Sequence, residues 1–157
     1  MEETKYGKYF ITSTPPRPDY PQAMDKDNDL PWWTSLYITK EMDGALPGAF
    51  YLETNMVLRA GAMDVISEVP HTHGFPEYLV FLGTNPDDQF DLGGEVEFWL
   101  GGEQHIITKT CAVFVPAGVP HAPLIMRKVD RPFMFITTGT GSGYEEESDF
   151  EEAKKRL

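Results

Sequence analysis

The stretch EVEFWL-GG-EQHII, residues 95–107, decides how this chain is read. Its residues alternate at the two-residue period of a strand, and Gly101-Gly102 can take the positive φ values that a two-residue type I′ turn demands. A hairpin of defined register follows. Leu100 falls opposite Glu103, Trp99 opposite Gln104, Phe98 opposite His105, Glu97 opposite Ile106 and Val96 opposite Ile107. Val96, Phe98, Leu100, His105 and Ile107 therefore share one face, which is mostly apolar.

Outward from the hairpin, short β-branched and aromatic runs broken by Gly, Pro, Asn and Asp extend from Trp32 to Thr137. They predict strands at Trp33–Lys40, Phe50–Leu58, Met63–Val69, Tyr78–Leu82, Glu95–Leu100, His105–Thr108, Ala112–Val115 and Phe133–Thr138. No sustained 3.6-residue periodicity competes with them. The expected fold is all-β, a small barrel or jelly roll over residues 32–138. Residues 1–31 hold Pro15, Pro16, Pro18, Pro21 and Pro31, which block regular pairing and predict an extended arm. Tyr6, Tyr9, Phe10 and Tyr20 give that arm something to bury, against this chain or a neighbouring subunit. Residues 139–157 read as a Gly/Ser linker and an acidic tail with a short C-terminal helix, in which Glu151–Lys155 and Glu152–Arg156 have i,i+4 spacing. Gly139, Gly141 and Gly143 read as a hinge, since no P-loop lysine accompanies them.

The chain has 157 residues, with 13 Lys+Arg against 25 Asp+Glu and a net charge of −12. That balance leaves no positive surface for phosphates, so neither nucleic acid nor an anionic membrane is an expected partner. No apolar run reaches the ~18 residues that cross a bilayer. The N-terminus shows no secretion signal and Cys111 has no cysteine to pair with, so a cytoplasmic location is expected.

Of four histidines, two stand in HTHGFPE, residues 71–77, with a glutamate four positions after the second. On a strand, His71 and His73 would present two imidazoles to one side. Gly74 and Pro76 let the chain turn, and Glu77 opens YLVFL, where it can return toward the pair. His121 lies in VPAGVPHAP, a Pro/Gly corner that a barrel could bring opposite. Three imidazoles and one carboxylate make an N₃O set of intermediate hardness, suited to Fe, Mn, Ni, Zn or Co. Four protein ligands on a metal that prefers six leave room for water, a bidentate substrate or dioxygen. The competing reading is a group of polar residues packed at a barrel mouth with no metal.

HTHGFPEYLVFLG and PAGVPH resemble the two signature motifs of the cupin superfamily, through His71-x-His73-x3-Glu77 and Pro116-x-Gly118-x2-His121. The likeness spans about residues 60–138. It departs from the family pattern at Val65, where a leading glycine is usual, at Gly83, which falls one residue early, and at Thr110, Cys111 and Ile125. The resemblance implies a double-stranded β-helix barrel in which His71, His73, Glu77 and His121 bind one divalent transition metal. Two functional classes fit it. One is a small metalloenzyme of dioxygenase, isomerase, decarboxylase or lyase type, acting on a compact chelating organic substrate. The other is a non-catalytic metabolite-binding or regulatory module, whose metal serves recognition or structure. A homodimer is also implied.

Other residues carry weaker signals. His105 is a substrate contact if its face points inward, and otherwise a solvated strand histidine. Arg59, within MVLRAGAM, either holds a substrate carboxylate or lies on a strand edge. Glu95, Glu97 and Glu103 are spaced like acid/base carboxylates, but Glu95 and Glu97 share the face opposite Phe98 and are expected to meet water, as is the loop NPDDQFD, which lacks the glycine and terminal glutamate of a calcium loop. Cys111 reads as a packing residue with no base to activate it. Met63, Phe75, Leu79, Phe81, Phe98, Phe114, Phe133 and Phe135 are expected to wall a small, dry cavity.

Overall fold

A computed structural model describes residues 4–17, 21–25, 27–40, 42, 44–62 and 69–141. Nine strands lie among them: β1 (Trp32–Ile38), β2 (Tyr51–Val57), β3 (Gly61–Ala62), β4 (Glu77–Leu82), β5 (Asp91–Leu100), β6 (Glu103–Lys109), β7 (Cys111–Val115), β8 (His121–Val129) and β9 (Phe133–Gly139). They form two antiparallel sheets, ordered β1-β2-β9-β4-β7 and β3-β8-β5-β6. The predicted strand Met63–Val69 falls on residues 63–68, outside the described residues, as does the predicted C-terminal helix. No described helix is long and apolar enough to cross a membrane.

The hairpin register is the one the glycine pair dictates, from Leu100↔Glu103 to Val96↔Ile107. Gly101 and Gly102 take φ of 59° and 84°, values that an L side chain would strain to adopt. Strand β8 was not expected, because Pro123 sits inside it. Its missing amide costs no ladder bond there. β3 reaches only Ile125 and Met126 on one side, and the β5 register breaks between Phe98 and Leu100 on the other.

The core fills the space between the sheets. Val57, Leu79, Phe81, Val115, Phe133 and Phe135 from one sheet meet Leu92, Val96, Phe98, Leu124 and Met126 from the other. Phe114 does not join them. In β7 the alternation turns Val113 and Val115 inward, which leaves Phe114 on the outer face at 50% exposure.

The register of the five-stranded sheet divides its inner face into rows. The row that holds Glu77 runs Tyr51, Gly139, Glu77, Val115, and the next runs Tyr37, Glu53, Thr137, Leu79, Val113. Below them come Thr34, Asn55, Phe135, Phe81 and Cys111, then Trp32, Val57 and Phe133. The wall is thus apolar at the bottom and polar beside Glu77, not uniformly apolar. β2 is inverted relative to an ordinary amphipathic strand: Tyr51, Glu53 and Asn55 are buried while Leu52, Thr54 and Met56 face out.

The arm completes this polar wall. Arg17 reaches inside the barrel and its Nη1 donates to Glu53 Oε1 at 2.8 Å. Asn55 Nδ2 donates to the same oxygen at 2.9 Å, and the Tyr51 hydroxyl donates to Glu53 Oε2 at 2.8 Å. Thr14 Oγ1 accepts from the amide of Tyr37 at 3.0 Å, and Ala23 is fully buried in the core. The anchors are therefore a cation and an alanine. Tyr6, Tyr9 and Phe10, the expected anchors, stay 60%, 56% and 67% exposed, and Tyr20 lies outside the described residues.

Gly83 explains the early motif glycine, since a Cβ there would lie 2.0 Å from the carbonyl oxygen of Asp91. Gly83→Ala is expected to lower stability by about 1–3 kcal/mol in urea unfolding, because backbone must move to admit the methyl group. Arg17→Met should cost about 3–5 kcal/mol by stranding Glu53 as a buried unpaired charge. The Arg17→Met/Glu53→Gln double variant should lose less than that single variant. Equal losses would show that the ion pair is not what anchors the arm.

Candidate metal centre

Two backbone segments bring the histidines together. His71 and His121 form an isolated antiparallel bridge, exchanging N–H···O bonds of 3.0 Å in both directions. The amide of Gly118 donates to the carbonyl of His73 at 2.9 Å, and the amide of Gly101 donates to that of Pro120 at 2.7 Å. Gly118 has φ of 75°, so the corner needs glycine where the motif has it. His71 forms only this single bridge, outside the named strands, yet its ring stays near that of His73, with centroids 6.3 Å apart.

Each ring is oriented by a carbonyl two residues away. His71 Nδ1 lies 2.9 Å from the oxygen of Val69, His73 Nδ1 2.7 Å from that of Phe75, and His121 Nδ1 3.0 Å from that of Val119. A carbonyl only accepts, so each Nδ1 carries the hydrogen and a neutral ring keeps its lone pair on Nε2. Those Nε2 atoms meet a carboxylate. Glu77 Oε1 is 3.0 Å from His73 Nε2 and 3.1 Å from His121 Nε2, with all three side chains buried.

Three acceptors at that separation repel one another unless a cation or a proton lies among them. Bonds of ~2.1 Å at ~90° around one ion would space neighbouring donor atoms by ~3.0 Å, so the arrangement fits a divalent metal. His73, Glu77 and His121 are a group that could hold an ion, their ligand atoms all within 4.8 Å of one another. His71 is not in that group, though its ring meets His121 edge-on with centroids 4.3 Å apart.

With protons in place of a metal, electrostatics still favour a charged carboxylate. Burial alone would raise the Glu77 pKa, but hydrogen bonds from His121 and His73 outweigh it and lower it to about 2. Burial pushes His71 down to about 4, and the neighbouring His121 adds to the effect. His71 is accordingly neutral near pH 7.

Phe75 packs flat on His73, with centroids 4.4 Å apart and planes at 12°. Gly139 and Gly141 serve this ring and do not form a hinge. A Cβ on either would come within 2.9 Å and 2.2 Å of Phe75. Gly143 lies outside the described residues.

The remaining candidates sit away from the centre. His105 is exposed on β6, with Nε2 3.8 Å from Glu103 Oε2. Arg59 is exposed and donates to the carbonyls of Asp29 and Leu30, both at 2.8 Å, so it fastens the arm. Cys111 is half-buried, and burial raises its thiol pKa, as suits a packing residue. The acidic loop is largely exposed, but Asp91 accepts from Arg131 at 2.5 Å and begins β5. Glu97 corrects the expectation of a solvated carboxylate. Its side chain is buried, and hydrogen bonds from Trp99 and Arg127 lower its pKa.

Sequence reasoning missed the polar wall of Arg17, Tyr51, Glu53 and Thr137. Thr137 Oγ1 lies 2.6 Å from the Tyr51 hydroxyl, which ties β9 into the cluster. The available signal was the alternation in YLETNMV, whose period is the same whichever face is buried.

Neither a protein-family model nor a curated protein matches the chain. Among solved structures it is similar to a predicted oxalate decarboxylase from Thermotoga maritima, with 13% identity over 69% of this chain and 78% of that one and a TM-score of 0.45. It is also similar to KdgF from Halomonas sp., with 13% identity, coverage of 69% and 78% and a TM-score of 0.42. A third is an RmlC-like cupin from Shewanella frigidimarina, with 13% identity, coverage of 67% and 74% and a TM-score of 0.40. The chain itself is all-β, with two antiparallel sheets and the turn before β4 bridged to the start of β8 through His71 and His121.

Proposed function

We propose that His71, His73, Glu77 and His121 hold one divalent transition metal, from among Fe, Mn, Ni, Zn and Co, and that the protein is a small metalloenzyme. Its substrate is a compact organic molecule with a chelating polar end, and the reaction is of dioxygenase, isomerase, decarboxylase or lyase type. The observation that carries this reading is the approach of two Nε2 atoms to one carboxylate oxygen at 3.0 and 3.1 Å, with every Nδ1 turned to a carbonyl. Burying three acceptors face to face for packing alone would be unfavourable.

The bound ion would supply Lewis acidity and open positions for an oxygen-bearing ligand. The chain's own residues do the rest. The carbonyls of Val69, Phe75 and Val119 hold the imidazoles in the ligating tautomer, and Glu77 offsets part of the ion's charge. Phe75 excludes water from one side of His73. Tyr51 and Thr137 offer hydroxyls in the rows beside Glu77, where the far end of a substrate would meet them.

Elemental analysis of protein purified without oxygen is expected to find about one metal per chain, and His121→Ala or His73→Ala should lose it. Oxygen-uptake and turnover screens against small chelating acids and phenols then separate catalysis from recognition. Tight ligand binding without turnover would favour the metabolite-binding module. A chain that takes up none of the five metals would end the proposal.

Because ligation needs neutral imidazoles, bound metal is expected to leave as pH falls from ~6.5 toward ~4, and retention at pH 4 would contradict histidine ligation. The metal-free protein should also weaken on acidification. His71 titrates lower in the folded than in the unfolded chain, so its contribution is complete above ~6.5 and is lost as pH falls through about 4. That contribution is about 3 kcal/mol. Glu77 adds a second loss between ~4.5 and about 2. Thermal melting of His71→Gln should show a flatter slope than wild type between pH 6.5 and 4, and an unchanged slope would refute the assignment.

A further inference from the structure

The hydroxyls of the polar wall all point one way. Thr34 Oγ1 donates to Asn55 Oδ1 at 2.7 Å, and Asn55 Nδ2 in turn donates to Glu53 Oε1. The Tyr51 hydroxyl gives its single hydrogen to Glu53 Oε2. Thr137 Oγ1 stands 2.6 Å from that hydroxyl, so Thr137 must supply the hydrogen of the bond between them. A carboxylate paired with a guanidinium only accepts, and the hydrogens of the wall converge on Glu53.

Thr137 is where this direction reaches the candidate centre. It pairs with Leu79 on β4, while Glu77 pairs with Gly139, two residues further along β9. Thr137 and Glu77 are therefore diagonal neighbours on one face, ~7–8 Å apart. Phe75 seats closest to Gly141, farther from Thr137 along the same face. The Thr137 side chain is buried, and among the described residues Tyr51 is the one hydrogen-bond partner of its hydroxyl, so lone pairs remain on Oγ1 and its hydrogen does not. Arg17 does not reverse this. It lies over the Tyr37 ring at 5.7 Å, on the β1 side of Glu53, whereas Thr137 lies on the β9 side, and Glu53 already meets its charge.

We propose that Thr137 sets the specificity of the centre: its substrate carries, a few bonds from the chelating end, an uncharged donor, a hydroxyl or amide N–H, that gives its hydrogen to Thr137 Oγ1. The proposal rests on the metal-binding reading above and narrows its substrate to a hydroxylated acid, not a dicarboxylate. A carboxylate or phosphate at this place would set lone pairs against lone pairs in a buried setting, with the nearest guanidinium already paired. A methyl group would cover the Thr137 acceptor and give it no second partner.

Calorimetric titration of the full chain, loaded with the metal it purifies with and kept free of oxygen, reads binding without turnover. Three acids share one chelating end, a carboxylate with an α-hydroxyl. They are 2,4-dihydroxybutanoate, 2-hydroxypentanoate, in which methyl replaces the terminal hydroxyl, and malate, which places a carboxylate there. The hydroxyl tail is expected to bind about 10-fold more tightly than the methyl, and malate about 10-fold more weakly than the methyl. Thr137→Val should abolish the preference for hydroxyl over methyl while metal content stays the same, and Thr137→Ser, which keeps the acceptor, should retain it. Equal affinities in the wild type, tightest binding of malate, or a preference unchanged in Thr137→Val would overturn the proposal and leave the metal centre standing. A chain that takes up none of the five metals fails before any acid is added, and ends the metal-binding reading and this one together.

Discussion

Three local hydrogen bonds govern the centre of this molecule. Each of His71, His73 and His121 gives its Nδ1 hydrogen to a carbonyl two residues away, so the Nε2 lone pairs have one orientation left. Those bonds are local, and they form wherever the backbone takes the turn that Gly74, Pro76 and Gly118 permit. The bridge between His71 and His121 then turns two local arrangements into one site. Glu77, first residue of β4, is held between its neighbours by the sheet. The resulting crowd of acceptors is unfavourable by itself and favourable around a cation.

The same sheet that positions Glu77 is built inside out along β2. Burying Arg17 and Glu53 is costly, and the cost is offset only because the carboxylate accepts from Arg17, Asn55 and Tyr51. A core serving stability alone would do better with apolar residues of similar volume. The polar wall runs from the row of Glu77 down to Asn55 and Thr34, in whose row Phe81 and Phe135 begin the apolar part that Phe133 continues below. The apolar outer face is the other half of the same inversion. One strand thus links the lining beside the centre to the apolar outer face of its sheet.

Much of the fold was legible because it depends on periods of two and on glycine. The Gly101-Gly102 turn set the hairpin register residue by residue, and the two histidine-bearing motifs named the residues that meet. Strand β8 was not legible, because Pro123 argues against a strand unless one knows which of its sides lacks a neighbour. Nor was the polar wall. The alternation in YLETNMV is the same whichever face is buried, and an acid on an alternating strand is ordinarily read as facing water.

By itself, then, the sequence determined an all-β chain, the pairing across its glycine turn, and the histidines and glutamate able to form a centre. These follow from local sterics and side-chain chemistry. Only the tertiary structure decided that Phe75 seats on Gly139 and Gly141, that Arg17 enters the barrel to meet Glu53, and that Glu97 is buried under Arg127. Those contacts join residues far apart in the chain. The physical reason is that burial belongs to the packed assembly, and a strand's pattern fixes which residues share a face without saying which face turns inward.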